Sequence, residues 1–179
     1  MPRLLRLVSA LTVCCSVPLH AAADMPLGAV GPGGDVYAGA AARTVRGIME
    51  YARWNERRDP TVLCVAGPAQ HAGQIGGWRM ADGRQVVRRN VSPAPSALAG
   101  CDVLYLGALS IATQRQLTAA VRGRGVLTIA EADPDNASDA MFAFTYKPNA
   151  LSFRLNIDAV SRSGMKIDPR VLRVAQGGV

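Results

Sequence analysis

Few residues in this chain have types suited to chemistry. Of four cysteines and two histidines, Cys14, Cys15 and His20 fall in the N-terminal stretch "MPRLLRLVSALTVCCSVPLHAAAD". That stretch has the order of a secretory signal. Arg3 and Arg6 come first, then an apolar run over 7–17, then Ala21 and Ala23 as an A-x-A cleavage site before Asp24. The run is too short to cross a bilayer. The alternative is a lipoprotein signal at Cys14 or Cys15, which Val13 fits poorly because that site wants a small residue. With residues 1–23 read as the signal, the exported chain keeps Cys64, Cys101 and His71. An oxidising compartment makes one intrachain disulfide the default reading. Two buried free thiols are the alternative.

His71 is then the one histidine available as a base. It sits in "PAQHAGQ", and no G-x-S-x-G elbow accompanies it. An exposed helix or turn histidine is the expectation. One histidine and two cysteines on separate strands lack the close ligand pairs of a zinc site. "EADPDNASD" (131–139) gathers acidic residues, but it has neither the glycine nor the closing glutamate of a calcium loop. It reads as a solvated loop that follows a strand end. "GAVGPGGD" follows no strand, so it is not a phosphate loop. The Asn-x-Ser sequons at Asn90 and Asn136 matter only in a eukaryotic secretory pathway. The formal charge of +7 includes Arg3 and Arg6, and the other basic residues are scattered with few aromatics between them. Nucleic-acid binding wants a basic stripe with stacking platforms. The sequence therefore predicts no catalytic residues, no metal, no cofactor and no nucleic-acid partner. No later stretch is apolar enough to span a membrane.

The elements that would position these residues alternate in type. Residues 24–34, "DMPLGAVGPGG", read as a flexible leader and 35–179 as a single domain. Asp35 can cap a helix with the stripe Tyr37, Ala41, Val45, Ile48 and Ala52, ending near Trp54. "TVLCVAG" (61–67) reads as a buried strand and "RQVVRRNV" (84–91) as a strand with a polar side. Between them a weak, glycine-interrupted helix is predicted over 69–80. "CDVLYLGAL" and "GVLTIAEA" are further strands, separated by the helix "TQRQLTAAVRGR". Strands apolar on both faces predict an α/β fold, a mainly parallel sheet flanked by helices on both faces. "AMFAFTY" and "ALSFRLNI" around "KPN" predict a C-terminal antiparallel hairpin at the sheet edge. In it Leu151, Phe153, Leu155 and Ile157 face one way. "DAVSRS" before Gly164 predicts a short helix, and Asp168-Pro169 opens a last one.

The order of these blocks resembles one family. "RTVRGIMEYARW", "TVLCVAG", "GRQVVRRNV", "GCDVLYLG", "GVLTIAEAD" and "LSFRLNIDAVSRSGMKIDPRVLRVA" are similar, in order, to blocks of the YfiR-like bacterial periplasmic proteins. The resemblance runs over about residues 36–176. It implies a periplasmic negative regulator that binds a YfiN-type membrane diguanylate cyclase on its periplasmic domain. Holding that enzyme inactive lowers cyclic-di-GMP and biofilm formation. A YfiB-type peptidoglycan-binding outer-membrane lipoprotein would sequester the inhibitor. The resemblance further implies a homodimer, a Cys64–Cys101 disulfide between neighbouring strands, and stability and activity linked to disulfide state. A second family bridge falls on Asn136 and Ala143, so it is absent here. Phe142, Phe144, Leu151 and Phe153 fall where the family has an apolar partner surface, with hairpin core as the other reading. Trp54 is a partner-contact candidate or a helix-end anchor. The competing function is a periplasmic small-molecule binding module, lined by the loops after Gly67, Gly107 and Glu131.

Overall fold

The structure, a computed structural model, describes Val30 and residues 34–175. The signal and most of the leader expected from the sequence lie outside the described residues. The first apolar stripe forms α1, Ala38–Tyr51, and buries Ala41, Val45, Ile48 and Met49. Asp35 stands ahead of the helix rather than at its cap. Its Oδ1 accepts from Tyr37 N at 3.1 Å, a local turn. The helix ends before Trp54, because Ala52–Arg53 leaves as β1. That strand pairs antiparallel with β8, Lys166–Ile167, in a two-stranded sheet.

The main sheet holds β2 (Thr61–Ala66), β3 (Val86–Val91), β4 (Val103–Leu106), β5 (Leu127–Ala130), β6 (Phe142–Lys147) and β7 (Ala150–Leu155). Their spatial order is β3-β2-β4-β5-β6-β7. Every pairing is parallel except β6 with β7. The fold is therefore α/β as expected. The hairpin is refined in one respect, since β6 itself continues the parallel sheet. Its two-residue turn sets Lys147 opposite Ala150.

β4 shows why both faces read as apolar. Val103 and Tyr105 enter the core beneath α1, while Leu104 and Leu106 enter the core on the other face. That second core takes Leu117 and Val121 of α2 (Ile111–Val121) and Leu98 of a 3₁₀ turn, Pro95–Leu98. The first core takes the hairpin rings. The C-terminal helix α4, Leu172–Ala175, adds Val174 to it.

Two local expectations are corrected. Residues 69–80 form no helix. Gly76 and Gly77 have φ of +99° and +74°, which a right-handed helix excludes. The segment is instead tied to β3 through Gly77 N–Val86 O (3.1 Å) and Val86 N–Trp78 O (2.8 Å). Ile157 does not continue the inward stripe of β7. It begins α3, Ile157–Ser161, and is 75% exposed. Asn156 ends the strand by capping that helix, its Oδ1 accepting from Ala159 N at 3.0 Å.

Candidate functional site

With this strand order the chain winds in opposite directions from β2, toward β3 and toward β4. The crevice beyond the carboxyl ends of β2 and β4 is where open α/β sheets take ligands. Here the protein's own loops fill it. Pro68 lies against Gly107, where a Cβ would run into the Pro68 carbonyl. Ala108 N donates to that carbonyl at 2.7 Å. Leu109 covers Gly67, whose φ of +77° turns the chain away from β2.

Glu131 fastens the closure. It is 2% exposed, and its carboxylate accepts from Gln70 N (2.8 Å), His71 N (2.7 Å) and the Tyr105 hydroxyl (3.0 Å). Asp133, 1% exposed, accepts from Ala137 N, Ser138 N and the Ser138 hydroxyl. The expectation of a solvated loop over 131–139 is thus corrected. Two of its carboxylates are buried and hold backbone, because three donors converge on each. His71 is corrected too. Its Nδ1 lies 2.7 Å from Asp35 Oδ1, and its ring packs against Tyr37 and Tyr146 with centroids 5.2 and 4.9 Å away. The pair ties the start of α1 to the loop after β2.

This cluster carries a titration signature. Burial, then the nearby Tyr146 and Glu131, push the Tyr105 phenol well above its ordinary value. Burial, then the Glu131 charge, push Tyr146 upward as well. Both phenols are raised in the folded state. Their stabilisation is therefore complete below the unfolded value of about 10, and is lost as pH climbs from there toward the folded values. In an alkaline titration followed by phenolate absorbance, Tyr105 and Tyr146 are expected to ionise only as the chain unfolds. Ordinary titration of all four tyrosines in folded protein would contradict this burial.

The cysteines meet as a disulfide across β2 and the entry to β4. Cys64 and Cys101 have Cα atoms 5.7 Å apart, and each is at most 3% exposed. Arg89 on β3, in register with Cys64, sets Nη2 3.3 Å from one sulfur and 3.2 Å from the other. The same nitrogen donates to Ala99 O at 2.5 Å.

The partner-contact candidates separate. Phe142, Phe144, Leu151 and Phe153 lie in the core beneath α1, none more than 7% exposed. In this conformation they offer a partner almost no area. Edge-to-face rings join Phe142 on β6 to Phe153 on its neighbour β7, and Phe144 on β6 to Tyr105 on β4, two strands away. Trp54 is half-buried at the opposite end of the sheet. It divides a cleft of about 550 Å³, lined with Arg53, Arg57 and Arg84, from one of about 240 Å³ beside Gly123, Gly125 and Gly164. The Arg84 guanidinium stacks 5.3 Å from the indole centroid, held by Asp82 at 2.6 Å. The indole Nε1 has no hydrogen-bond partner among the described residues.

Among the described residues, no group of three or more histidines, cysteines, aspartates or glutamates is placed to hold a metal. No helix of the described residues is long and apolar enough to cross a membrane. Spacing along the chain gave no sign of the Asp35–His71 pair, the Glu131 hub or the Arg89 contact. A partial signal for Asp133 was available, since Asp followed by Asn and Ser is turn chemistry.

The class this defines is a mixed α/β domain in which Glu131, Asp133, His71 and the two cysteines tie loops and strands together. A family model, YfiR/HmsC-like, matches residues 39–176, and the chain belongs to that family. The family is periplasmic and regulatory rather than catalytic, with a role in cyclic-di-GMP signalling.

Proposed function

We propose that this chain is a periplasmic inhibitor of a membrane-bound diguanylate cyclase of the YfiN type. It binds the periplasmic domain of that enzyme and holds it inactive, which lowers cyclic-di-GMP and biofilm formation. A YfiB-type outer-membrane lipoprotein releases the enzyme by taking up the inhibitor. The working form is a homodimer of a single domain over residues 35–179, exported by the signal at 1–23. The inhibitor acts by differential affinity, since a bound protein shifts its target only by preferring the off state. Beside the family match, the observation that carries this reading is the closed crevice. The loops after Gly67, Gly107 and Glu131, which a small-molecule module would use, are packed on one another.

Trp54 is the contact residue we favour on the partner face. It combines partly exposed aromatic area with the exposed Arg53 and Arg57 beside it, residue types that dominate interface energetics. The four buried hairpin residues act as the scaffold behind the surface. Deleting the gene in a strain that keeps its cognate cyclase is expected to raise cyclic-di-GMP, and the wild-type gene to restore it. Trp54→Ala is expected to weaken binding to the cyclase periplasmic domain at least tenfold, with melting of the free protein little changed. No rise in cyclic-di-GMP on deletion would overturn the inhibitor reading. Unchanged affinity of Trp54→Ala would overturn only the placement of the contact.

A further inference from the structure

The outer side of α1 carries a groove that the fold leaves open. Arg43, Gly47, Glu50 and Tyr51 share one stripe of that helix by their helical spacing. Gly47 stands one turn from Arg43 and one turn from Tyr51, with no side chain to fill the space between them. Val174 of α4 lines the same space. The result is a mostly apolar groove of about 390 Å³, lined by Arg43, Arg46, Gly47, Glu50, Tyr51 and Val174. A glycine inside a helix costs about 1 kcal/mol against alanine, and here it keeps the groove open.

The charge of the groove is one-sided. Arg46 is exposed, and among the described residues its guanidinium bonds the Arg79 carbonyl, at 2.9 Å, and no carboxylate. Arg43 stands one turn before it and adds a second guanidinium to the lining. The one carboxylate there, Glu50, accepts from Ala81 N at 2.9 Å. Glu50 also lines the cleft beside Trp54, so the groove continues the face assigned above to the partner.

We propose that this groove seats an acidic amphipathic segment of the cyclase periplasmic domain, an assignment that rests on the inhibitor reading. An apolar side chain of that segment fills the space over Gly47, against Tyr51 and Val174. A carboxylate beside it meets Arg46 and Arg43. The apolar contact holds the segment in the groove, and the cations select an acidic one and speed its encounter. A second copy of this chain is a poor match, because the chain is itself net positive.

The test is the affinity of the full chain for the purified periplasmic domain of the cognate cyclase, measured with association and dissociation rates at low and high salt. Arg46→Glu is expected to weaken binding at least tenfold, mainly through slower association, and to flatten the salt dependence. Arg46→Lys should recover most of the loss. Gly47→Leu fills the groove while favouring the helix, and is expected to weaken binding at least tenfold through faster dissociation. Melting of the free variants should stay close to wild type. Wild type that fails to bind overturns the inhibitor reading and the groove with it. Wild type that binds while Arg46→Glu and Gly47→Leu bind equally well overturns the groove alone. If the two variants alter only self-association, or only binding to vesicles of phosphatidylglycerol and phosphatidylethanolamine, the groove belongs to a second copy or to lipid, and the proposal is likewise overturned.

Discussion

Replacing both bridged cysteines, C64A/C101A, is expected to lower unfolding stability by about 4 kcal/mol. The crosslink joins residues 37 apart in sequence. Loop-closure entropy for a segment of that length removes about that much from the unfolded chain. Folded-state packing adds to the loss, because both sulfurs sit in the core with Leu98, Leu104 and Ala66. Domains of this size unfold with roughly 5–15 kcal/mol in total. The variant should therefore still fold, with its melting temperature lower by roughly 10 °C. Urea unfolding of oxidised wild type and the double variant measures the difference. Added reductant should destabilise the wild type and leave the variant unmoved. A loss below about 1 kcal/mol would mean that the bridge constrains little of the unfolded chain.

Glu131→Leu carries the second large effect, an expected loss of about 3–5 kcal/mol. The carboxylate is buried and answers three donors: the amides of Gln70 and His71 and the Tyr105 hydroxyl. Leucine occupies similar space but accepts nothing, so all three donors are stranded away from water. The loop after β2 should then lift from the end of β5. Hydrogen exchange at Gln70 and His71 would report this before global unfolding does. Glu131→Gln should cost less, about 1–2 kcal/mol, since its one remaining oxygen still accepts. Urea unfolding that places Glu131→Leu within about 1 kcal/mol of wild type would show that water reaches the three donors.

What could be read from the sequence was what local pattern encodes. "VLYL" is apolar at every position because successive side chains enter different cores, and it is a strand with both faces covered. Pro148 and Asn149 marked the hairpin turn, and Asp168 before Pro169 marked the last helical start. Long-range pairing was not legible. Arg89 reaches the sulfurs only because parallel pairing sets it beside Cys64. Glu131 looked like the start of a polar loop, because its two amide donors come from residues about sixty positions away and its hydroxyl donor from twenty-six away. The error over 69–80 had a local cause, in that glycine conformations outweighed a weak apolar spacing. Ile157 was misplaced because a cap at Asn156 ends the alternation one residue earlier. The partner-surface residues were the hardest to judge. A phenylalanine in a strand looks the same whether it faces solvent or α1, and here the hairpin rings face inward.

The edge strand β3 limits how copies of this chain can assemble. Its central residues, Arg88, Arg89 and Asn90, are exposed, while Val86 alone is buried. A second copy zipping onto this edge would lay arginine beside arginine, and like charges across a strand pair repel. Charged edges of this kind are a standard guard against runaway sheet growth. Symmetric fibre formation through β3 is thereby disfavoured, even at high local concentration.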